Sequence, residues 1–260
     1  METMRKGPDV ILGAWNGGLG DQLQFSTLPE EFYKQQRRET FLLDGSDFRN
    51  KEIYDLVWGH NPYIKGIKEG KRNAGDIPEI VVENTTDNWI SNWEHLHGLK
   101  PTNTRPKIYY QPKKIDGLED TILVDFTATS LKFDGVGNGY DLRLLKDTYS
   151  ELKRFSNKRF ARVVFDQTVS ESQVDVECDT EIVVTSIYHY CDLMNSCSGI
   201  WGLHSGSVAL AAAVQRYNEA LTIDVFVSKT LYSNMMLWLE NKVPPFGAFY
   251  LDCVDYVVVL

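Results

Sequence analysis

Three stretches of this 260-residue chain gather residue types suited to holding an anion or moving a proton. The first is Gly17-Gly18-Leu19-Gly20-Asp21, after the apolar run 10–15. Glycines between a strand and a helix let a ligand approach the backbone, and the helix N-terminus offers unpaired N–H groups. Asp21 has two readings there: an acid that offsets the helix dipole, or a carboxylate acting as general base. The dinucleotide fingerprint wants a third glycine where Leu23 stands, although Asp44 imitates its ribose-binding acid. No Gly-Lys-Ser/Thr follows the glycines, which excludes a Walker motif. The second stretch is His204-Ser205-Gly206-Ser207, between an apolar run and the Ala-rich segment 208–214. Its helix N-terminus and the Ser205 and Ser207 hydroxyls suit a phosphate, while simple capping by either serine is the competing reading. The third, Thr127-Ala128-Thr129-Ser130-Leu131-Lys132, puts three hydroxyls and a lysine directly after a strand. That composition suits an anion and is equally that of an ordinary polar loop.

Other constellations are weaker. Asp175, Glu177 and Asp179 alternate like a metal-binding acidic motif, but they precede a strand instead of closing one, so a solvated charge run is expected. His95 and His97 are two residues apart, which on a helix points them to different faces, as does the His189 and Cys191 spacing. No metal site is expected. Trp89 and Trp93 read as core, and no Gly-x-Ser-x-Gly elbow is present.

The elements that must position these residues alternate. Strands are expected at 10–15, 40–43, 79–82 and 108–110, with helices at 21–36 (Pro29 kinking it) and from Trp89 to about Gly98. Segments between 45 and 77 read as helix and loop. The polar stretch 111–120 carries Pro and Gly and is the best boundary. Beyond it strands are expected at 121–126, 161–165, 181–184, 199–203, 221–227 and 254–259, and helices at 142–155, 187–195, 207–217 and 231–241. Strand–helix alternation of this kind specifies parallel sheets. The expected architecture is α/β, two doubly wound Rossmann-like domains (1–115 and 116–260) facing a cleft, with ligands at the carboxyl ends of the strands.

Composition removes several function classes. Acids outnumber bases 36 to 27, for a net charge of −9, opposite to a phosphate-neutralising surface, so nucleic-acid binding is not expected. No apolar run approaches a membrane span. The opening residues lack a signal peptide's apolar core, and the four cysteines show no CxxC pairing; both point to a reduced, cytoplasmic protein.

The segment GGLGDQLQFSTLPEEFYK resembles the opening of the family-nine glycosyltransferases of the GT-B fold, a group that includes the heptosyltransferases. The later stretch 187–214, with its Ser-Gly turn before an Ala-rich helix, resembles their donor-binding segment. The resemblance implies that Asp21 is the catalytic base. It also implies that Ser205 and Gly206 match the donor-loop Thr-Gly, and that residues 127–132 hold donor phosphates. Two departures stand out: His204 where the family has Asp before the Thr-Gly, and Ala209 where it has His. The function implied is metal-independent, inverting transfer of a sugar from a nucleoside-diphosphate sugar, bound on residues 116–260, to a glycan, lipid-linked or other hydroxyl acceptor on residues 1–115. No cofactor beyond that substrate is implied. Gly17, Gly18 and Gly20 form a cleft loop, and Thr127, Thr129, Ser130, Lys132 and His204 to Ser207 the donor site. The alternatives are a nucleotide-dependent epimerase or oxidoreductase on a similar fold, and a non-catalytic nucleotide- or sugar-binding protein.

Overall fold

The computed structural model describes residues 7–13, 17–71, 88–127, 140–165, 174–240 and 250–260. The chain forms two compact units, one from residues 1–110 with 242–252, the other from 111–241 with 253–260.

The first unit holds a parallel sheet in the order β1-β2-β3, made by Val10–Leu12, Thr40–Leu43 and Ile64–Lys68. Val10 and Leu12 on β1 and Thr40 and Leu42 on β2 face inward, the period-two pattern of a half-buried strand. The single helix expected over 21–36 is two: α1 (Leu19–Leu23) and α2 (Leu28–Gln36). Pro29 has no N–H and its ring would collide with the carbonyl four residues back, so a helix can start at it but not run through it. Ser26 closes the turn between them, its Oγ donating to Leu23 O at 2.6 Å.

After α3 (Lys51–Tyr54) the chain continues in a π-helical turn, Asp55–Gly59, that buries Leu56, Val57 and Trp58. β3 stands where the sequence reads as helix or loop. Its sequence IKGIK hides it: this is an edge strand, Ile67 is 59% exposed, and it carries Lys65 and Lys68, the charges with which edge strands are commonly protected. The strand expected at 79–82 lies outside the described residues. The one expected at 108–110 is not a strand; its neighbourhood is instead tied to α2 and the turn before it, Lys107 N donating to Ser26 Oγ and Tyr109 Oη to Glu30 Oε2. α4 (Trp89–Leu96) begins at Asn88, whose Oδ1 accepts from Ile90 N and Ser91 N, and the chain turns away at Gly98 (φ +70°). Its tryptophans are core, as expected, with Phe25 edge-on to Trp93 at 4.7 Å.

The second unit is a six-stranded parallel sheet. Its strands are β4 (Thr121–Asp125), β5 (Arg159–Phe165), β6 (Thr180–Val184), β7 (Gly199–Leu203), β8 (Thr222–Ser228) and β9 (Asp255–Val259). Helices α5 (Leu142–Arg154), α6 (Ile187–Ser196), α7 (Gly206–Val214) and α8 (Lys229–Glu240) fall between them in sequence. The spatial order β6-β5-β4-β7-β8-β9 is 3-2-1-4-5-6 counted within the unit, the doubly wound nucleotide-binding order. β4 and β7 are buried along their whole length, which explains why 122–124 and 199–203 read as apolar without a polar face. Residues 208–214 of α7 are buried on every side, and four of the seven are alanines that let the helix sit deep.

Candidate functional site

Between β4 and β7 successive strands run outward in opposite directions across the sheet, and such a reversal leaves a crevice at the carboxyl ends of the strands. Asp125 ends β4 there and is 1% exposed. Its Oδ2 accepts from Ser207 Oγ at 2.5 Å and from Tyr190 Oη at 2.7 Å, and its Oδ1 from Thr127 N at 3.1 Å. One carboxyl thus ties β4 to α6 and α7. Burial pushes this carboxyl above the usual aspartate range, against the hydrogen bonds from Ser207, Tyr190 and Thr127 that favour its anion. The Thr127 hydroxyl lies beside the same carboxylate but meets no partner at hydrogen-bonding geometry among the described residues.

Around this anchor the structure assembles much of the expected anion-binding set. Thr127, Ser205, Gly206 and Ser207 are half-buried, forming a shelf at the reversal, and His204 is buried at the turn before α7. Ser205 caps α7: its backbone is extended and its Oγ accepts from Ser207 N at 3.3 Å. The Ser205 hydroxyl donates to Ser207 Oγ at 3.2 Å. Thr129, Ser130 and Lys132 lie outside the described residues.

The Gly17–Asp21 loop sits in the first unit. Gly17 has φ +56°, and a Cβ there would come within 3.1 Å of Arg49 N. Arg49 N donates to Gly17 O at 2.9 Å, so the close approach this glycine permits is that of the chain's own 47–49 segment. Gly18 is the extended residue before α1, and Gly20 is buried within it. Asp21, third in α1, reaches back to the Gly18 backbone N–H, as the acid of a capping box does. Burial raises its carboxyl; the Arg49 charge and the Gly18 hydrogen bond pull the other way and do not restore the ordinary value. Asp21 therefore caps the helix and is also a stronger base than an exposed aspartate.

No family model matches the sequence, and no curated protein matches it. Solved structures do. The chain superposes on a family 9 glycosyltransferase from Veillonella parvula DSM 2008 with a TM-score of 0.57 and 10% identity, covering 99% of this chain and 86% of that one. The E. coli heptosyltransferase WaaC, solved with ADP-2-deoxy-2-fluoro heptose, gives 0.58 at 6% identity over 96% and 93%. The iron-containing dodecameric glycosyltransferase TibC from enterotoxigenic E. coli H10407 gives 0.54 at 14% identity over 85% of this chain. The chain spans 59% of TibC's length. The fold is that of the GT-B glycosyltransferases.

Within this GT-B fold the remaining candidates separate clearly. Asp175 and Asp179 are surface ion-pair partners, of Arg162 and Lys153 respectively, and do not converge. His97 stacks on Trp93 at 5.9 Å, and burial lowers its imidazole to about 4. Among the described residues no group of three or more His, Cys, Asp or Glu side chains could hold a metal ion. The four cysteines form no disulfide, and burial pushes the Cys197 thiol up to about 12, which makes it inert. No helix among the described residues is long and apolar enough to cross a membrane. An open depression of about 830 Å³ lies at the other, amino ends of the second unit's strands, near Ile122, Ser198 and Thr222. Several of the groups lining it are spent on backbone carbonyls, Ser198 Oγ on Thr121 O, Ser196 Oγ on Asp192 O and Asn218 Nδ2 on Cys197 O, so it is the lesser candidate.

Asp125 and Tyr190 are the site residues that sequence reasoning missed. Asp125 interrupts an otherwise apolar strand immediately before the hydroxyl-rich loop, and a charge at the end of a buried strand was the available signal. Nothing local marks Tyr190.

Proposed function

We propose that this chain is a glycosyltransferase that moves a sugar from a nucleoside-diphosphate sugar to a hydroxyl acceptor. The observation that carries the reading is the half-buried shelf of Thr127, Ser205, Gly206 and Ser207 at the strand-order reversal of a GT-B fold. The departing diphosphate needs hydrogen-bond donors and the positive end of a helix dipole, which the start of α7 offers. His204, and Thr129, Ser130 and Lys132 beyond the described residues, complete the proposed donor site. The acceptor needs a base, and Asp21, with its raised carboxyl, is assigned that role. A carboxylate that deprotonates the acceptor for direct attack implies inversion at the anomeric carbon. The chemistry is proposed to need no metal ion, and Gly17, Gly18 and Gly20 to shape the loop carrying the base. Adenosine diphosphate sugars are the first donors to test, because TibC and WaaC were solved with ADP-heptose compounds.

The second reading is a nucleotide- or sugar-binding protein without turnover. It is favoured by the hydrogen bond from Gly18 that engages the Asp21 carboxylate in helix capping. A thermal-shift screen of nucleoside diphosphates and nucleotide sugars, followed by a donor-hydrolysis assay with and without EDTA, tests both. A ligand at 100 times its Kd adds about 2.7 kcal/mol of stability. Binding with EDTA-resistant hydrolysis is the expected outcome. Binding without hydrolysis or transfer supports the second reading, and no shift with any nucleotide or nucleotide sugar removes the glycosyltransferase and nucleotide-binding readings.

A further inference from the structure

The hydroxyl hydrogens at the shelf are already committed. Ser207 gives its single hydrogen to Asp125, Ser205 gives its own to Ser207, and Tyr190 gives its own to Asp125. A diphosphate arriving here would therefore face lone pairs on both serines and, one hydrogen bond behind them, a buried carboxylate. Two anions this close in a poorly solvated site do not both stay charged; the one that can take a proton does so.

We propose that Asp125 is a positioning residue that takes up a proton when a nucleoside diphosphate binds, turning Ser207 from a donor to Asp125 into a donor to the diphosphate. The inference rests on the donor-site reading above and deepens it. The proton comes from solvent and ends on an Asp125 carboxyl oxygen. That new O–H donates to Ser207 Oγ, whose own hydrogen swings to a phosphate oxygen, and no bond between heavy atoms changes. The Tyr190 hydroxyl keeps its hydrogen throughout, since burial and the neighbouring Asp125 both hold its phenol far above the ordinary range. Raising the Asp125 carboxyl by burial lowers the cost of the uptake. On α6, besides Tyr190, Asp192 accepts from Lys113 N, the His189 ring lies against Thr185 Oγ1, Tyr188 is half-buried and burial raises the Cys191 thiol. α7 carries none. His204 lies in the turn before it, and Arg162, on β5 beside Val124, is spent on Asp175 and Glu181.

Isothermal titration of ADP into the full chain, in buffers of differing ionisation enthalpy between pH 7.5 and 8.5, counts the protons. Phosphate groups of ADP, with a second pKa near about 6, are already ionised there. The expected result is uptake of about one proton per ADP and a Kd that rises about tenfold per pH unit. A protonated-carboxyl stretch should appear in the bound-minus-free infrared difference spectrum. Asp125→Asn, whose amide can donate to Ser207 without a proton, should still bind ADP, with neither uptake nor pH dependence. ADP binding with no proton uptake overturns the inference, as does uptake that persists in Asp125→Asn. Should that variant fail to fold, the wild-type infrared difference decides, and absence of the carboxyl band counts against the proposal. Failure of ADP to bind at any pH instead overturns the donor-site reading itself.

Discussion

The indole Nε1 of Trp58 donates to Gln22 Oε1 at 2.8 Å, between two side chains that are almost wholly buried. Gln22 Nε2 continues to Asp47 O at 3.2 Å, so the five-residue helix carrying Asp21 is held from beneath by its own neighbour in sequence. A helix this short has no stability of its own, and Gln22 is what locates Asp21. Trp58→Phe keeps the ring packing but leaves Gln22 Oε1 buried without a donor. It should cost about 1–3 kcal/mol by urea denaturation. Were Asp21 the base, kcat should fall with little change in donor KM.

Asp21→Asn separates the two roles of that carboxylate along different axes. If Asp21 only caps the helix, turnover should stay intact and stability should change by no more than about 1 kcal/mol, because the lost cap is opposed by relief of a buried charge. Loss of a general base should lower turnover by about 10²–10⁴ while donor affinity barely changes. The wild-type rate should fall as pH drops through the Asp21 pKa, which lies above the ordinary 3.8, because only the carboxylate accepts the acceptor's proton. A folded Asp21→Asn enzyme with normal turnover removes Asp21 from the chemistry.

Glu30 anchors a polar network in the first unit. Burial alone would raise its carboxyl, but hydrogen bonds from Lys107, Lys34 and Tyr109 outweigh burial and hold it at about 2. Its Oε2 meets Lys107 Nζ at 2.6 Å and Tyr109 Oη at 2.9 Å. A depressed carboxyl contributes stability that is complete above the unfolded value of 4.5 and is lost as pH falls toward 2. Lys107→Met should therefore destabilise by about 1.5–3 kcal/mol at pH 7, and the gap should narrow in melts run between pH 4 and pH 2.

Asp224 behaves with the opposite sign. It stands directly beside Asp255 across the β8–β9 pairing. Burial first, and the Asp255 charge second, raise its carboxyl to about 6, against a hydrogen bond from Trp201. Here the ionised form is the unfavourable one in the folded chain, so the penalty is full above about pH 6 and is relieved as pH falls toward 3.8. Asp224→Asn should raise stability at pH 8 by about 1–3 kcal/mol and do little at pH 4. Equal effects at both pH values would show that neither burial nor the Asp255 charge raises the Asp224 carboxyl.

Local chemistry by itself determines most of the elements of the second unit. β4 and β7 are apolar on both faces, Gly199–Leu203 ends where a small-residue turn must begin, and α5 starts at Asp141, whose Oδ1 caps it. Each of those signals lies within one turn or one strand of the residue it specifies. The same holds for Ser205 at the start of α7, whose capping role depends only on its own neighbours. A mixed signal misleads. The lysines and glycine of β3 belong to an edge strand with no residue buried on either face, so it carries no apolar alternation to read.

Only the tertiary structure decided which strands lie side by side, and with that the place of the candidate site. Nothing in the periodicity of β4 says that β7 will pair with it while β5 takes its other edge, because lateral pairing is settled by crossovers and by packing of helices on the sheet. The reversal that follows is what brings Ser207 to Asp125 across 82 residues and Tyr190 across 65. A carboxylate buried at the end of a strand is tolerable only where donors converge on it, and those donors come from two helices whose approach no window of sequence contains.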